Sequence, residues 1–494
     1  MTRTAFPATL LCDFYKVSHR EQYPSGTQTV YSTWTPRTSR LPGVDHVVAF
    51  GFQGFIKKYL IDYFNENFFN RPREDVVDEY VRVIRNTLGI ENPDASHIAK
   101  LHSLGYLPIR IKALREGTLV PIRVPMLTIQ NTHPDFFWLT NYLETWMSAE
   151  LWMPSTSATI AFEYRKLLQR FAQETNGDTS GVPFQGHDFS MRGMASIEAA
   201  MSSGAAHLLS FTGSDTIPGI LYHEEYYNAN IESELVGTSI PATEHSVMCA
   251  YGQNEMESYR RLITQVYPTG FVSIVSDTWD LWSVLDKVIR GLKDDIMARD
   301  GRVVIRPDSG DPVKIICGDA FSDNEFERKG VVEILWDIFG GTITEKGFKQ
   351  LDAHIGCIYG DSITLDRCKR ICEGLAAKGF ASTNMVYGIG SFTYQYNTRD
   401  TFGFALKSTY VVIDGKEQMI FKDPVTDDGM KKSQTGMVSV IEEDGELKCV
   451  DHLLGGYAWD YAGRDQLRTI FQNGELLFDD TLHDIRERLL ESLD

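Results

Sequence analysis

The spacing of hydrophobic residues changes along the chain. Up to about residue 150 a helical stripe at 52–63 is mixed with alternating patterns at 109–112 and 120–124, which predict half-buried strands. Residues 135–152 and 157–174 predict two helices. Beyond residue 399 the alternation returns, with Asp-Gly turns at 414–415 and 444–445 that predict two hairpins. Residues 1–150 and 395–494 are therefore predicted to form one β-rich α+β domain.

Between residues 151 and 394 short apolar runs alternate with helical stretches. The runs end near Phe189, Phe211, Ile240, Val275, Ile305, Tyr359 and Tyr387. Helices are predicted between them, for example over residues 196–208 and 364–378. This alternation predicts a parallel sheet, and about seven units in roughly two hundred residues suit an irregular β/α barrel. The predicted fold class is α/β, with this barrel as a catalytic domain beside the β-rich domain.

Polar residues follow each of the apolar runs. They are His187-Asp188, Asp215, Glu244-His245, Ser276-Asp277, Arg306-Pro307-Asp308, Gly360-Asp361 and Gly388-Ile389-Gly390-Ser391. A barrel gathers such residues at the carboxyl ends of its strands, where active sites lie. One member alone, such as Ser276-Asp277, would serve equally well as a helix cap. The complete series predicts one polar crevice.

The sharpest of these strand ends is the sequence RVVIRPDSGDP at residues 302–312. Arg306 can grip a phosphate or pyrophosphate with a bidentate fork. Asp308 can accept hydrogen bonds from sugar hydroxyls or lie behind a hydrated Mg²⁺. The alternative is a proline turn with a surface ion pair, because loops of Pro, Asp, Ser and Gly are common.

Composition limits the classes of partner. The 494 residues are 43% hydrophobic and 23% charged, as in an ordinary globular protein. A formal net charge of −19 argues against nucleic-acid and anionic-membrane partners. No signal peptide or membrane span is evident, so a cytoplasmic location is expected. The seven cysteines lack paired spacing and indicate neither a disulfide framework nor a structural zinc site.

The predicted crevice combines three kinds of group. They are the cations Arg192, Arg306 and His245, the carboxylates Asp215, Asp277, Asp308 and Asp361, and glycine loops whose N–H groups can cradle a phosphate. Such a set suits a sugar phosphate with a pyrophosphate leaving group, because cations neutralise the departing pyrophosphate while carboxylates steady the ribosyl carbon. Phe189 can stack on a flat base or belong to the core.

The tail after residue 395 contributes a further set of cations. They include Arg399, Lys407, Lys422, Lys431 and Lys432. They form either a solvated basic face or a second wall of an anion site.

Several long motifs, in order along nearly the whole chain, resemble the nicotinamide phosphoribosyltransferase family. They are DFYKVSHREQYP, HDFSMRG, FTGSDT, SIPATEHS, VSIVSDTWD, IRPDSGDP, YGDS, YGIGS with the following TRD, and FKDPV. The resemblance implies a type II phosphoribosyltransferase that makes nicotinamide mononucleotide and pyrophosphate from nicotinamide and phosphoribosyl pyrophosphate in NAD salvage. It also implies Mg²⁺, ATP as an activating co-substrate, and a homodimer with active sites at the interface.

The same resemblance implies a role for individual residues. Within one subunit, Phe189 would stack on the pyridine ring and Asp215 would hold the carboxamide. Pyrophosphate would be bound by Arg192, His245 and Arg306, and the ribosyl part by Asp308, Gly360 and Asp361. Gly390 and Ser391 would form the phosphate loop, and Asp277 and Glu244 would have supporting catalytic positions. From the other subunit it assigns Tyr15 to the ring, Arg37, Lys422 and Lys431 to pyrophosphate, and Arg399 and Lys407 to the 5-phosphate. His245 would be phosphorylated by ATP, and Mg²⁺ would lie with pyrophosphate near Asp308.

Three other functions compete with this interpretation. Nicotinate phosphoribosyltransferase shares the fold, and the discriminator is Asp215, whose negative charge attracts an amide N–H₂ and repels a carboxylate. A non-catalytic NAD-metabolite sensor would tolerate loss of His245, Arg306, Asp308 and Asp277, all of which are present. A metal-dependent barrel hydrolase would need an HxH or HExxH ligand set, which the histidine motifs lack.

Overall fold

The computed structural model describes residues 5–426, 432–455, 461 and 463–493. The chain divides into two compact units. The first unit combines Met1–Thr159, Tyr222–Ala229 and Asn397–Asp494, and the second combines Ile160–Leu221 and Asn230–Tyr396. In the described ranges no helix is both long enough and apolar enough to cross a bilayer.

Strands and helices alternate through most of the chain. The strands are β1 (Thr27–Thr35), β2 (His46–Val48), β3 (Ile109–Ala113), β4 (Leu119–Pro121), β5 (Leu127–Asn131), β6 (Gly186–Asp188), β7 (Gly213–Ser214), β8 (Thr269–Val275), β9 (Asp300–Arg306), β10 (Gly341–Ile343), β11 (Lys349–Leu351), β12 (Ile355–Tyr359), β13 (Met385–Ile389), β14 (Ala405–Ile413), β15 (Lys416–Met419), β16 (Met437–Glu443), β17 (Glu446–Leu453), β18 (Arg468–Gln472) and β19 (Glu475–Leu476). The α-helices are His19–Gln22, Phe52–Phe55, Arg73–Leu88, Ser96–Leu104, Leu139–Tyr142, Glu144–Thr175, Ile197–His207, Ile217–Tyr226, His245–Cys249, Glu255–Arg261, Leu281–Ser283, Lys293–Met297, Pro312–Cys317, Glu325–Lys329, Val331–Phe339, Leu365–Ala377, Ser391–Tyr394 and Leu482–Leu490. Helical segments of π type are Ile56–Tyr63, Asn65–Phe69, Leu262–Val266 and Val284–Ile289, and 3₁₀ turns are Ala8–Leu10, Phe14–Ser18, Pro134–Phe136, Val182–Phe184, Met191–Gly193, Ser382–Asn384 and Glu491–Leu493.

The first unit is built on an antiparallel sheet of order β15-β14-β1-β5-β3-β18-β19. Both predicted hairpins are confirmed, because β14 pairs with β15 and β16 pairs with β17. Asp414-Gly415 and Asp444-Gly445 all have positive φ, as two-residue hairpin turns require. The core of this unit includes Trp34 of β1, which is fully buried and stacks on Phe404 with 5.4 Å between ring centroids.

The second unit is built on a parallel sheet of order β7-β6-β13-β12-β9-β8. Residues 238–242 join both of its edges, since Thr238 bridges Gly213 of β7 and Ala242 bridges Ser273 of β8, each in parallel. The sheet therefore curls into an irregular barrel. Because its strands are parallel, their carboxyl ends gather at one rim, where the loops that carry polar residues begin.

Two of the predicted barrel strands are weaker than the hydrophobic pattern indicates. The run that ends at Phe211 continues out of helix Ile197–His207, and the strand that follows it is only β7. The run that ends at Ile240 makes one bridge on each side rather than a ladder. Short apolar runs do not show whether they pair along their length or only touch the sheet.

The predicted pair of helices at 135–152 and 157–174 is wrong in its boundary. One helix, Glu144–Thr175, runs through Pro154. A proline inside a helix removes one backbone N–H. Beyond it, side-chain hydroxyls donate to carbonyls of the same helix, from Thr156 to Trp152 at 2.7 Å and from Thr159 to Ser155 at 2.6 Å. The strand predicted at 120–124 also ends early, at Pro121, because Arg123 has φ of 76°.

Candidate active site

A cavity of about 1040 Å³ opens at the rim where the barrel strands end. Every residue that lines it belongs to the second unit. Of the residues predicted for the site, the cavity collects Phe189, Arg192, Asp215, Glu244, His245, Arg306, Asp308, Gly360, Asp361, Gly390 and Ser391. The polar crevice inferred from the strand ends therefore exists, whereas the role of each residue remains a prediction.

Asp277 ties two strand ends together. It follows β8, and its Oδ2 accepts hydrogen bonds from the Asp308 backbone N–H at 2.7 Å and the Ser309 hydroxyl at 2.6 Å. Its Oδ1 is buried and has no hydrogen-bond partner among the described residues. The loop after β9 is thus fixed by one carboxylate oxygen, while the other remains able to accept.

His245 faces this carboxylate pair from the start of helix His245–Cys249. Its Nε2 lies 3.9 Å from Asp277 Oδ1 and 3.9 Å from Asp308 Oδ2. Its Nδ1 lies 3.1 Å from the Thr278 hydroxyl. Glu244 precedes it and accepts a hydrogen bond from the Ser246 hydroxyl. The imidazole therefore has one nitrogen engaged by the protein and one directed toward two acids.

Asp308 is in an unfavourable place for a charge. Burial raises its pKa above the ordinary aspartate value, and the nearby carboxylates Asp277 and Asp361 raise it further, although Arg306 and His245 act in the opposite direction. Gly360 permits the crowding, since a Cβ there would lie 2.7 Å from Asp308 Oδ1. The cavity floor thus concentrates negative charge.

The carboxylates of Asp277 and Asp308 fit a cation that is shared with a ligand. In the described ranges no three His, Cys, Asp or Glu side chains are arranged to bind a metal by themselves. Mg²⁺ is commonly held by one or two carboxylates together with phosphate oxygens and water. Asp308 and the free Oδ1 of Asp277 are the residues that suit it.

Cations and backbone donors lie around this floor. Arg306, at the end of β9, donates to the Thr243 carbonyl, which orients its guanidinium. Arg192 is exposed in the turn Met191–Gly193. Gly390 precedes the short helix Ser391–Tyr394, and a Cβ on Gly193 would lie 2.0 Å from the Ser391 hydroxyl, so these two loops meet closely. Such an arrangement can hold anionic groups.

Asp215 and Phe189 mark the other end of the cavity, and both also line a second cavity of about 340 Å³ that continues along the barrel. A Cβ on Gly388 would lie 2.4 Å from the Phe189 ring, so a glycine is needed beneath it. Burial raises the pKa of Asp215, but the hydrogen bond and charge of His187, the Ser239 hydroxyl and Arg306 outweigh it and leave the pKa below its ordinary value.

The sequence placed His187 at the crevice without assigning it a role, and it did not identify Ser239. His187 Nε2 donates to Asp215 Oδ1 at 2.8 Å, and the Ser239 hydroxyl donates to the same oxygen at 2.6 Å. The available signal was that both residues belong to runs that end at the crevice. Periodicity alone does not show that three runs converge on one carboxylate.

Four of the remaining predicted residues lie in the first unit and form a basic cluster there. Its described members are Arg37, Arg399, Lys407 and Lys422. Burial lowers the pKa of Lys407; Glu144 opposes this, while Arg37, Lys422 and Arg399 lower it further. Arg37 donates from Nε to the Gly403 carbonyl at 2.9 Å.

Two other predicted residues of that unit differ in what the structure shows. Tyr15 is 57% exposed, so part of its ring surface is available for stacking. The Lys16 ammonium lies 5.0 Å from the centroid of the same ring. Lys431 lies outside the described residues.

Comparison with known proteins gives consistent matches. The family model for the nicotinate phosphoribosyltransferase (NAPRTase) family matches residues 184–475, and that for the N-terminal domain of nicotinamide phosphoribosyltransferase matches residues 8–111. The chain is 51% identical over 495 residues to nicotinamide phosphoribosyltransferase of Acinetobacter baylyi, with 98% of this chain and 97% of that one covered. It is 34% identical to the protein of the same name from Xanthomonas campestris pv. campestris, with 96% of each chain covered.

Solved structures share the fold at low identity. Nicotinate-nucleotide pyrophosphorylase from Pyrococcus furiosus superposes with a TM-score of 0.56 at 16% identity and covers 100% of this chain and 98% of its own. Human nicotinic acid phosphoribosyltransferase gives a TM-score of 0.52 at 15% identity and covers 98% and 93%. The predicted fold class, an irregular barrel with a second β-rich region, is confirmed.

Proposed function

Because this chain belongs to the nicotinate phosphoribosyltransferase family, we propose that it transfers the phosphoribosyl group of phosphoribosyl pyrophosphate to nicotinamide, giving nicotinamide mononucleotide and pyrophosphate. The relatives named above as nicotinamide phosphoribosyltransferases support this choice of base. The single observation that carries it is the ionised Asp215 at the end of the cavity beside Phe189. We further propose a role in NAD salvage, to which such a product contributes, and a cytoplasmic location.

Asp215 distinguishes an amide from an acid by charge. Nicotinamide offers an N–H₂ group that a carboxylate accepts, whereas nicotinate carries a carboxylate at neutral pH. Two like charges about 4 Å apart at an effective dielectric near 20 repel by ~4 kcal/mol, and the partial exposure of Asp215 screens part of that. The Phe189 ring supplies a flat surface for the pyridine.

The other end of the cavity suits the donor substrate. Arg306 and Arg192 neutralise the pyrophosphate as its bond to the ribosyl carbon lengthens, and Asp308 and Asp361 stabilise the positive charge that develops there. In this proposal the backbone N–H groups at Gly390-Ser391, at the start of helix Ser391–Tyr394, bind phosphate. Asp308 and Oδ1 of Asp277 are the groups that would hold Mg²⁺, which would supply further charge to neutralise the pyrophosphate. No side-chain nucleophile is required for this transfer.

The basic cluster completes the site from a second subunit of a homodimer. In this arrangement Arg37, Lys422 and Lys431 bind pyrophosphate, and Arg399 and Lys407 bind the 5-phosphate. Tyr15 stacks on the face of the pyridine opposite Phe189. The lowered pKa of Lys407 supports an anion partner, because a nearby phosphate would favour the charged form and raise that pKa.

His245 is the site of an activating phosphorylation by ATP in this proposal. The Thr278 hydroxyl can accept from Nδ1–H, which leaves the lone pair on Nε2. Nε2 attacks the γ-phosphorus and ADP leaves. The phosphoimidazole adds negative charge beside Asp277 and Asp308, which strengthens the demand for Mg²⁺.

The labelling test uses the pure protein with Mg-ATP labelled at the γ-phosphate. An acid-labile phosphate is expected on the parent and on His354→Ala, a histidine paired with Asp352, and none on His245→Ala. Equal labelling of His245→Ala would remove this step from the proposal.

The test of the transfer itself is turnover with each base. The pure protein with phosphoribosyl pyrophosphate and Mg²⁺ is expected to use nicotinamide at least ~100-fold better than nicotinate, by kcat/KM. Asp215→Ser should lower the use of nicotinamide and narrow that ratio, while the exposed control Asp323→Ser should change neither. Equal use of both bases by the parent, or an unchanged ratio in Asp215→Ser, would contradict the proposal.

A further inference from the structure

The carboxylate of Asp215 is held by two donors on the same oxygen. His187 Nε2 and the Ser239 hydroxyl both reach Oδ1, at 2.8 and 2.6 Å. Among the described residues no donor reaches Oδ2. The carboxylate is therefore fixed in rotation, with one oxygen occupied by the protein and one left for a ligand donor.

The imidazole of His187 is itself held in place. Its residue pairs in register with Gly213, and a Cβ on Gly213 would lie 2.8 Å from His187 Nδ1. On another side the ring meets Phe189, with 4.8 Å between centroids and a tilt of 48°. Because Gly213 leaves room for the ring, Nε2 is directed at Asp215 rather than into solvent.

Ser239 lies in the segment 238–242, which runs beside β7. Thr238, the residue before it, bridges Gly213, so the 238–242 segment delivers the hydroxyl to the same oxygen. Its Oγ is also 3.4 Å from His187 Nε2. Two donors thus converge on one point in space, which is the geometry that binds a carboxylate oxygen.

We propose that His187 and Ser239 are positioning residues that set the preference for a ring amide over a ring carboxylate. Their two donors form a binding site for one carboxylate oxygen, called here the carboxylate receptor. In the protein this receptor is occupied by the side chain of Asp215. This holds Oδ2 toward the ligand amide and keeps the receptor closed to the carboxylate of an acid substrate. The inference rests on the proposed function, since it concerns the base that the same site accepts.

The first consequence concerns loss of a donor. Removing one donor lets the Asp215 carboxylate rotate and weakens its alignment with the amide. His187→Leu and Ser239→Ala should each raise KM for nicotinamide about tenfold, within the range for a hydrogen bond to a charged group. KM for phosphoribosyl pyrophosphate should not change. His187→Gln retains an N–H donor at a similar reach and should recover most of the loss.

The second consequence separates a receptor from a general structural role. Asp215→Ser empties the receptor, so its donors become available to the carboxylate of nicotinate and use of nicotinate should rise about tenfold or more. Adding His187→Leu to Asp215→Ser should remove that gain. A residue that only supports the fold would reduce the use of both bases in both backgrounds.

The experiment measures kcat and KM for both bases across these variants, together with calorimetric binding of nicotinamide and nicotinate without the second substrate. If the parent forms the nucleotide but His187→Leu and Ser239→Ala leave the ratio of kcat/KM for nicotinamide to that for nicotinate unchanged, the inference is wrong while the proposed function stands. Absence of turnover in the parent would overturn the proposed function, and calorimetry would then decide the inference. If the variant with both Asp215→Ser and His187→Leu keeps the increased use of nicotinate, the proposed carboxylate receptor is wrong.

Discussion

The barrel crevice and the basic cluster of the first unit carry opposite charges, and each is unfavourable by itself. In the crevice, burial and the neighbouring carboxylates raise the pKa of Asp308. In the basic cluster, burial and the neighbouring cations lower the pKa of Lys407, against the opposing effect of Glu144. The two regions therefore disfavour the charged forms of groups of opposite sign.

The difference shows what each region lacks. Mg²⁺ or positive charge on a ribosyl carbon lowers the electrostatic cost of a carboxylate among other carboxylates. Phosphate does the same for an ammonium among other cations. A phosphorylated sugar with a pyrophosphate group supplies both kinds of relief in one molecule. Natural sites commonly retain such local cost because the ligand removes it.

The largest expected effect comes from removing the cation of the crevice. Arg306→Met should reduce kcat/KM by ~100- to 1000-fold, because charge on the leaving pyrophosphate is then neutralised less well in the transition state. Steady-state kinetics with nicotinamide measure it. The exposed Arg290→Met, which loses only a helix ion pair with Asp286, is the control. Comparable losses in both variants would show a general effect of charge.

Sequence patterns predicted the crevice better than the strands that build it. Polar residues after apolar runs identified Asp215, His245 and Arg306 because parallel strands bring their carboxyl ends to one rim. Pairing depends on neighbours that are distant in sequence, so the single bridges at Thr238 and Ala242 carried no local signal.

The support of the site was also beyond the sequence pattern. The contacts of Ser239 and His187 with Asp215 arise from three strand ends that converge, and Pro154 inside helix Glu144–Thr175 contradicts the local preference for a break. Tertiary neighbours decide the first case, since the donors to Asp215 come from strands that are distant in sequence.

A smaller effect is expected in the basic cluster. Lys407→Met should raise KM for phosphoribosyl pyrophosphate about tenfold, because one charge-assisted contact to phosphate is lost. Its kcat should change less. Glu144 keeps its ion pair with Lys16 in this variant, and the exposed Lys416→Met is the matched control. An unchanged KM would show that the cluster is only a solvated surface.

The smallest expected effect is on stability. The folded pKa of Asp308 is raised, so the folded state is penalised as pH rises from the ordinary aspartate pKa through the folded pKa, and the penalty is complete above both. Asp308→Asn should therefore raise Tm by ~1–2 °C at neutral pH. Thermal unfolding from pH 4 to 8 should show the gain disappear on acidification. A lower Tm for the variant at neutral pH would contradict the charge argument.

In the proposed function the crevice and the basic cluster act on one substrate and come from different subunits. The direct measurement mixes two inactive proteins, Tyr15→Ala and Asp308→Ala, and assays verified hybrid dimers for nicotinamide mononucleotide. Each hybrid has one of its two sites free of both lesions, so verified hybrids should recover about half of the parent activity and a random mixture about a quarter. Hybrids with no activity above that of the two separate variants would show that each subunit works alone and would contradict the account.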